Sequence, residues 1–246
     1  MSAYVNETIQ TLMEGKSMRV FEDQPISPAQ REIILRAAAA APTAGNQQLY
    51  TILEITDEKL KRRLSETCDH QPFIAQGKLV LAFLADCRKW YEAYLLAGSE
   101  PRKPGPGDFL LAVDDALIAA QNTVVAAESM GIGACYIGDI MEQYEIHREI
   151  LGLPEYVFPA ALLVMGWPTP QQKERPKPPR ADMSTIVYEN HYPDWTPEGL
   201  EQLMAHRLGR ESFADWVTAF CNRKYNSDFS REMSRSVAAF LRQLEQ

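Results

Sequence analysis

The feature that most constrains the fold is a nearly continuous apolar run, KLVLAFLAD, at residues 78–86. A strand with one solvated face alternates apolar and polar residues, so an almost unbroken run predicts a strand covered on both faces. A second run, FPAALLVMGWP at residues 158–168, predicts another apolar strand. We therefore expect a layered fold built around a buried sheet.

The remaining segments of the first half carry helix and strand signals in a mixed order. Ser27 and Pro28 are typical of a helix N-cap and first turn, and Pro42 marks the end of that helix. Residues 49–57 predict a strand and residues 57–68 a short amphipathic helix. Because no strict strand–helix–strand rhythm is present, an α+β fold is favoured over a doubly wound parallel sheet.

The second half is predicted to begin with a surface loop in the Pro- and Gly-rich segment AGSEPRKPGPGD. An alanine-rich helix follows from about Leu111 to Met130, capped by Gly131, and then a short strand, ACYIGDI. Residues 170–180 contain recurring prolines, which predicts an extended segment. Beyond them, one or two helices are expected to expose aromatic side chains for packing on the main body or a second chain, namely Trp195, Phe213, Trp216, Phe220, Phe229 and Phe240.

Composition excludes several classes of protein. With 246 residues, 46% of them hydrophobic, the chain suits one large domain or a domain with an extension. Its 25 Lys+Arg against 33 Asp+Glu give a net charge of -8, so we expect no nucleic-acid partner. The cysteines are scattered without a CxxC pair, which indicates reduced thiols in a cytoplasmic protein and no zinc site: Cys68, Cys87, Cys135 and Cys221.

Other motifs are missing or incomplete. The N-terminus lacks a signal-peptide pattern, and the long apolar stretch at residues 109–130 carries too many polar groups to cross a bilayer, so we expect no membrane association. The chain contains neither HExxH nor GxSxG, and Cys68-Asp69-His70 is predicted to be a loop. No metal ion and no side-chain nucleophile are therefore expected.

Gly15-Lys16-Ser17 matches the last three letters of a nucleotide-binding P-loop. That motif needs another glycine five residues earlier, where this chain has Gln10, and it needs a strand before the loop and a helix after it. Here a helical pattern precedes the loop and an extended Val20-Phe21 follows it. A nucleoside-triphosphatase is therefore disfavoured, and a solvated turn remains one interpretation.

Two cationic clusters offer another interpretation. Lys16 and Arg19 flank Ser17, and Arg175 and Lys177 lie in the proline-rich segment more than 150 residues later. Together they could clamp a phosphate monoester, whose charge near neutral pH is about -1.5 to -2. Prolines on both sides of Lys177 would fix the backbone before the ligand arrives.

Four segments, in this order, resemble the FMN-dependent nitroreductases, specifically the oxygen-insensitive NADPH nitroreductase and flavin reductase branch. They are KSMRVFEDQPIS, APTAGNQQ, AAQNTVVAAESMGIGACYIGDI and GWPTPQQKERPKPP, and the resemblance runs from about Met13 to Tyr192. It implies an α/β/α sandwich with a mostly antiparallel sheet, in a homodimer with FMN sites at the interface. Residues 1–246 would form one domain, whose helical C-terminal extension from about residue 193 packs on the partner.

The resemblance also implies the residues of the site. Lys16, Ser17, Arg19, Arg175 and Lys177 would bind the FMN phosphate and ribityl chain. Gln71, Ile137 and Gly138 would contact the flavin ring, and Thr43, Ala44 and Gln48 would come from the second subunit. No side chain would be catalytic in the usual sense, because the flavin carries the chemistry.

Beyond Tyr192 this chain matches the family pattern poorly, and the basic residue that binds the extra phosphate of NADPH in this branch is not evident. Before Tyr192 the chain departs from the pattern in four ways. Gly15 replaces a basic residue, Ala44 replaces a hydroxyl, Asp139 follows the flavin-contacting glycine, and Arg175 and Lys177 are in reversed order. The implied reaction is ping-pong, from NADPH or NADH to a nitroaromatic, quinone or similar flat acceptor. The alternatives are reduction of free flavin, oxidation of a peptide-like substrate, a flavin store or sensor without turnover, and a domain without flavin.

Overall fold

The computed structural model describes residues 6–244. They divide into two compact units. The first comprises the described residues up to Arg175 together with those from Glu232 on, and the second is Pro176–Arg231. That the whole chain acts as one domain stays a prediction.

The first unit is built on a four-stranded sheet with the order β1-β2-β4-β3 and antiparallel pairing throughout. Its strands are β1 (Tyr50–Glu54), β2 (Leu79–Asp86), β3 (Gly133–Ile137) and β4 (Val157–Gly166). Leu79 pairs with Met165, and a bulge between Phe83 and Leu84 shifts the register further along the strand. The expected α+β class and antiparallel sheet are confirmed.

Helices surround the sheet, and their bounds follow chain order. The first unit contains α1 (Glu7–Glu14), α2 (Pro28–Ala39), α3 (Glu58–Thr67), α4 (Phe73–Gln76), α5 (Arg88–Leu96), α6 (Pro106–Ser129), α7 (Tyr144–Leu151) and α8 (Pro170–Glu174). The second unit contains α9 (Pro197–Leu208), α10 (Phe213–Phe220) and a π-helical turn at Cys221–Tyr225. The last helix, α11 (Asp228–Leu244), starts in the second unit and continues into the first.

Both faces of the sheet are covered, as the apolar run predicts. Leu81 and Phe83 of β2 lie in a core formed with α2, α6 and α11, whereas Val80 and Ala82 lie in a second core with α3 and α4. Every residue of β2 and β4 is buried. Alternate side chains of a single strand thus serve two cores, which explains why the run contains almost no polar residue.

Two helix termini form for local reasons. Ser27 caps α2 through a capping box with Gln30, as its sequence predicts. After α6, Gly131 adopts a positive φ of +79°, and Ile132 N–H donates to the Ala127 carbonyl at 3.0 Å. This left-handed cap requires glycine, because a Cβ would be strained there.

Helix α6 starts at Pro106, five residues before the predicted Leu111. Pro106 occupies the first helical turn, and Asp108 accepts a hydrogen bond of 2.8 Å from Gly105 N–H. Among the described helices, α6 alone is long and apolar enough to cross a membrane, but 44% of that window is buried inside the fold. Contacts with α2 and β2 explain its apolar character as that of a core helix.

Two expectations were wrong. Residues 170–174 form α8 and are not extended, because Pro170 occupies the first helical turn, where a proline needs no N–H, and the next proline comes only at Pro176. Phe240 is fully buried and not exposed: its ring lies 4.8 Å from that of Phe109 and 5.0 Å from that of Phe158. The end of α11 therefore belongs to the main core.

Candidate functional site

The segment between α1 and α2 lies along the exposed edge of the sheet. Met18 N–H donates to the Ala134 carbonyl of β3 at 2.9 Å, and Phe21 forms an isolated bridge further on. Gly133 and Gly166 face each other across β3 and β4 beneath this segment. A Cβ at Gly133 would stand 2.8 Å from Met18 Cβ, and one at Gly166 2.7 Å from Phe21 Cγ. The two glycines thus make room for the segment.

This arrangement brings the two cationic clusters together. Lys16 Nζ donates to the Lys173 carbonyl at 2.6 Å and to that of Arg175, while the Arg175 guanidinium donates to the Ser17 carbonyl at 2.6 Å. Arg19 N–H also donates to Gln172 Oε1 at 3.2 Å. Residues more than 150 positions apart therefore form one hydrogen-bonded unit.

Protein acceptors do not use all the hydrogen-bond donors of this unit. Within the described chain, Arg175 Nε is buried and has no hydrogen-bond partner. Lys16 commits two of its three N–H donors to carbonyls, and the side chains of Ser17 and Arg19 are exposed. A buried orphan donor is rare in a native structure and indicates a missing acceptor, and a phosphate would supply one. The residues therefore fit an anionic ligand.

Cys135 of β3 connects this cluster to the next part of the site. Burial raises the pKa of its thiol, whereas hydrogen bonds from Ser17 and Arg19 and the charge of Arg19 act in the opposite direction. The negative charge of Asp139 also reaches Cys135 and raises its pKa. The phosphate-type cluster and the turn after β3 thus lie at the same edge of the sheet.

The Gln71 side chain is hydrogen-bonded to the turn after β3. Its Nε2 donates at 2.9 Å to the Cys68 carbonyl and at 2.9 Å to Asp139 Oδ2. The Ile137 side chain is buried, and Gly138 follows it in an open position, since the nearest atom to a Cβ there would be 3.9 Å away. The predicted ring-contacting residues are therefore adjacent in space.

Glu142 lies behind Asp139 with 6% of its surface exposed. Burial, assisted by the negative charges of Asp139, Asp69 and Glu232, raises the pKa of its carboxyl to about 7. Its Oε1 has no hydrogen-bond partner in the described part of the chain. No sequence pattern indicates this group, since only the fold brings its acidic neighbours together.

The loop from Thr43 to Gln48 is held by a buried carboxylate. Asp115 of α6 accepts hydrogen bonds from Ala44 N–H at 2.8 Å and Leu49 N–H at 2.9 Å. Thr43 Oγ1 accepts from Gln48 N–H at 3.0 Å. The hydrogen bonds of this loop are thus made within the loop and with α2, α5 and α6, apart from the cationic cluster and from the turn that Gln71 contacts.

The structure therefore joins most of the predicted residues into two groups. Lys16, Ser17, Arg19 and Arg175 form the cationic group, and Gln71, Ile137 and Gly138 form the group around Asp139. Thr43, Ala44 and Gln48 form a separate loop, and Lys177 lies in the second unit, so their roles stay predictions. Asp115 was missed as a site residue, although a carboxylate inside an apolar helix was a visible signal.

A large open groove lies beside the cationic group. It has a volume of about 1260 Å³ and lies between α1 and α6. Lys16 is the one predicted cofactor residue that lines it, together with Gly15, Met18 and Gly133. The groove is therefore continuous with one end of the site and does not include the residues around Gln71.

No side-chain nucleophile or metal centre emerges from the described residues. None of their His, Cys, Asp and Glu side chains form a group of three that could hold a metal ion. Cys68 Sγ lies 3.9 Å from His147 Nε2, but burial raises the pKa of the thiol and lowers that of the imidazole. Both groups are neutral and fully buried, so this pair is inert.

Several known proteins are similar to this chain in sequence and in structure. A family model described as the nitroreductase family matches residues 12–167. The chain is 31% identical over 190 residues to the FMN reductase (NADPH) of Bacillus subtilis, covering 76% of this chain and 75% of that protein. It is 32% identical over 212 residues to the oxygen-insensitive NADPH nitroreductase of Salmonella typhimurium, covering 85% of each. The structure of NfrA2 from B. megaterium superposes with a TM-score of 0.84 at 28% identity and 98% coverage of both chains.

Proposed function

We infer that this chain, which belongs to the nitroreductase family, is an oxidoreductase that binds FMN and takes electrons from NAD(P)H. The observation that carries the inference is the union of the two cationic segments, tied by the Lys16 bond to the Lys173 carbonyl and the Arg175 bond to the Ser17 carbonyl. The buried, unpartnered Nε of Arg175 supports the presence of a phosphate there.

The proposed residues bind different parts of the cofactor. Ser17, Arg19 and Arg175 bind its phosphate with charge-assisted hydrogen bonds, and Lys16 fixes the two segments against each other. Gln71 and the backbone of Ile137 and Gly138 bind the ring. FMN, when bound, supplies the hydride transfer between nicotinamide and acceptor, while this chain orients the reactants.

The second substrate is proposed to be a nitroaromatic, a quinone or a similar flat acceptor, reduced in a ping-pong sequence with NADPH or NADH. Names of the relatives support two acceptor classes, since one is a nitroreductase and another an FMN reductase. Reduction of free flavin is accordingly the second candidate. Parallel lines in double-reciprocal plots for NADPH against menadione, and against FMN, would support the sequence, and the ratio of the two kcat/KM values decides between the acceptors.

The visible spectrum of the purified protein tests the cofactor and the first half-reaction together. We expect a yellow protein whose flavin band bleaches when NADPH or NADH is added without oxygen. A yellow protein that neither nucleotide reduces would instead be a flavin store or sensor. A colourless protein that fails to quench the fluorescence of added FMN would contradict the proposed function altogether.

Arg19→Ala is expected to weaken FMN binding by about 10- to 100-fold, because hydrogen bonds to charged groups stabilise by roughly 1.5 to 3 kcal/mol. Fluorescence titration of the apoprotein with FMN measures the change. Arg36→Ala is the matched control, since Arg36 is exposed and pairs with Glu32 on the same helix. Equal FMN affinity in the two variants would remove Arg19 from the site.

We further propose a cytoplasmic homodimer in which the loop Thr43–Gln48 reaches the flavin of the partner. An apolar stripe on the outer face of α6 supports it, since these four side chains remain 39 to 63% exposed: Leu110, Leu111, Leu117 and Ile118. Such a contiguous apolar face is typical of an interface between subunits.

Leu117→Asp is expected to shift the protein from dimer to monomer and to lower its FMN content, because a charge would be buried at the interface. Light scattering after gel filtration measures the mass, and absorbance measures the flavin. Leu117→Met keeps an apolar side chain and should remain dimeric. A Leu117→Asp variant with the mass and flavin content of the dimer would place the interface elsewhere.

A further inference from the structure

The orientation of the Gln71 side chain is fixed by its partners. Its Nε2 lies 2.9 Å from the Cys68 carbonyl and 2.9 Å from Asp139 Oδ2, and both of these oxygens are acceptors. The atom between them must therefore be the amide nitrogen, which donates one hydrogen to each. The carboxamide oxygen is on the opposite branch, turned away from both acceptors.

Asp139 is the stronger of the two restraints. A carboxylate acceptor forms a shorter and more stable hydrogen bond than a neutral carbonyl. The terminal torsion of a glutamine is broad and roughly two-fold, so a carboxamide without such a partner presents either its oxygen or its NH2. Asp139 thus decides which end of Gln71 a ligand beside Gly138 meets.

A second carboxyl stands behind Asp139. Glu142 N–H donates to the Asp139 carbonyl at 3.0 Å, and the negative charge of Asp139 acts on the Glu142 carboxyl. None of the ion pairs among the described residues includes Glu142. Its Oε1 is also buried without a partner.

The groups around Glu142 leave its charge uncompensated. Asp69, after α3, and Glu232, on α11, add negative charge to that of Asp139. On α7, His147 is neutral because burial lowers its pKa, and Glu145 is bound by Arg235, which also bonds Glu232. Burial and these neighbours raise the pKa of Glu142 to about 7, so its proton is lost near neutral pH.

We propose that Asp139 is a positioning residue that turns the Gln71 carboxamide oxygen toward the bound flavin, and that the ionisation of the buried Glu142 beside it controls how firmly it does so. This inference rests on the proposed function. When Glu142 is protonated, Asp139 is the only one of the two carboxyls that carries a charge. When Glu142 ionises, its negative charge makes the Asp139 carboxylate a stronger acceptor and tightens the hydrogen bond from Gln71.

Five proteins test the positioning role through the dissociation constant of FMN, which is measured by fluorescence quenching. Asp139→Ala should raise the constant about tenfold, because the ordered carboxamide loses its charged partner. Asp139→Asn keeps an acceptor oxygen and should stay within about threefold of the wild type. In a Gln71→Ala background, Asp139→Ala should have no further effect. Glu155→Gln, which removes an exposed charge that is not among the groups acting on Glu142, is the control and should bind FMN normally.

The role of the Glu142 proton is tested in the apoprotein by nuclear magnetic resonance. The side-chain NH2 signals of Gln71 should shift with an inflection near pH 7 in the wild type, and Glu142→Gln should abolish that inflection. Because this measurement needs no flavin, it separates this inference from the proposed function.

Each outcome tests a different part of the proposal. Signals of Gln71 that do not titrate, or that titrate equally in Glu142→Gln, would overturn the role of Glu142. Additive losses from Asp139→Ala and Gln71→Ala, or normal FMN affinity in Asp139→Ala, would overturn the positioning role. A wild-type protein without affinity for FMN would overturn the proposed function, while a flavoenzyme whose variants all match the wild type would overturn only this inference.

Discussion

Gly133→Val is expected to leave the protein with less than about a tenth of the wild-type flavin, because the new side chain forces apart tightly packed groups. A Cβ at this position would stand 2.8 Å from Met18 Cβ and 2.7 Å from Met18 Cγ. Met18 Cγ can rotate away, but its Cβ moves only with the backbone. Since Met18 lies between Ser17 and Arg19, the displacement reaches both proposed phosphate ligands.

Absorbance of the purified protein measures the flavin content, and far-ultraviolet circular dichroism measures the fold. Gly107→Val is the matched control, because no atom lies within 4 Å of the Cβ that it introduces. Gly133→Ala introduces the same clash with less volume and keeps the prediction testable if the valine variant does not fold. Combining Gly133→Ala with Met18→Gly should restore much of the flavin, since the clashing Cβ is then absent. Wild-type flavin content in Gly133→Val would contradict the account.

The sheet and its principal helices could be predicted because their signals are local. The apolar run of β2 requires cover on both faces, and the capping box at Ser27 specifies the start of α2 within a few residues. Helix α5 was missed because its N-terminus depends on Asp86, which ends a strand and accepts from Arg88 N–H and Lys89 N–H. A residue that both ends a strand and caps the next helix shows no clear pattern in the sequence.

The residue types of the site could be predicted from the sequence, but their arrangement in space could not. Its cationic residues were visible as exceptions in an acidic chain, and the family resemblance assigned them to a phosphate. No local pattern could show that Lys16 uses carbonyls of α8 and Arg175 as its partners, because that contact spans more than 150 residues. Nor could it show that Asp139 bonds Gln71, since the departure from the family pattern has meaning only beside that partner.

Long-range packing also explains the errors. Phe240 was expected to be exposed because it follows a polar and aromatic segment, yet its ring closes a cluster with Phe109, Tyr144 and Phe158. Cluster members that come from four distant segments cannot be recognised from any one of them. That the aromatic residues of the second unit pack at an interface stays a prediction.

Asp115→Ala is expected to lower the free energy of unfolding by about 3 kcal/mol, since it removes a charged acceptor from two hydrogen bonds. Asp115 is 2% exposed and holds Ala44 N–H and Leu49 N–H at the two ends of the loop. Alanine leaves both donors without this partner, and Leu49 is itself buried, so water replaces the carboxylate poorly. Urea unfolding of the apoprotein measures the loss without any contribution from a bound cofactor.

The same substitution links stability to the site, because the loop that Asp115 anchors is proposed to reach the flavin of the partner. Flavin content should therefore fall in Asp115→Ala at temperatures where the fold is still intact by circular dichroism. Asp115→Asn keeps one acceptor oxygen but turns an NH2 toward the other donor, so it should lose about half as much stability as alanine. Glu155→Ala removes an exposed carboxylate from the loop between α7 and β4 and should leave both properties unchanged. Equal unfolding midpoints for Glu155→Ala and Asp115→Ala would show that the Asp115 carboxylate does not hold the loop, whereas a stability loss without a flavin loss would separate the loop from the cofactor site.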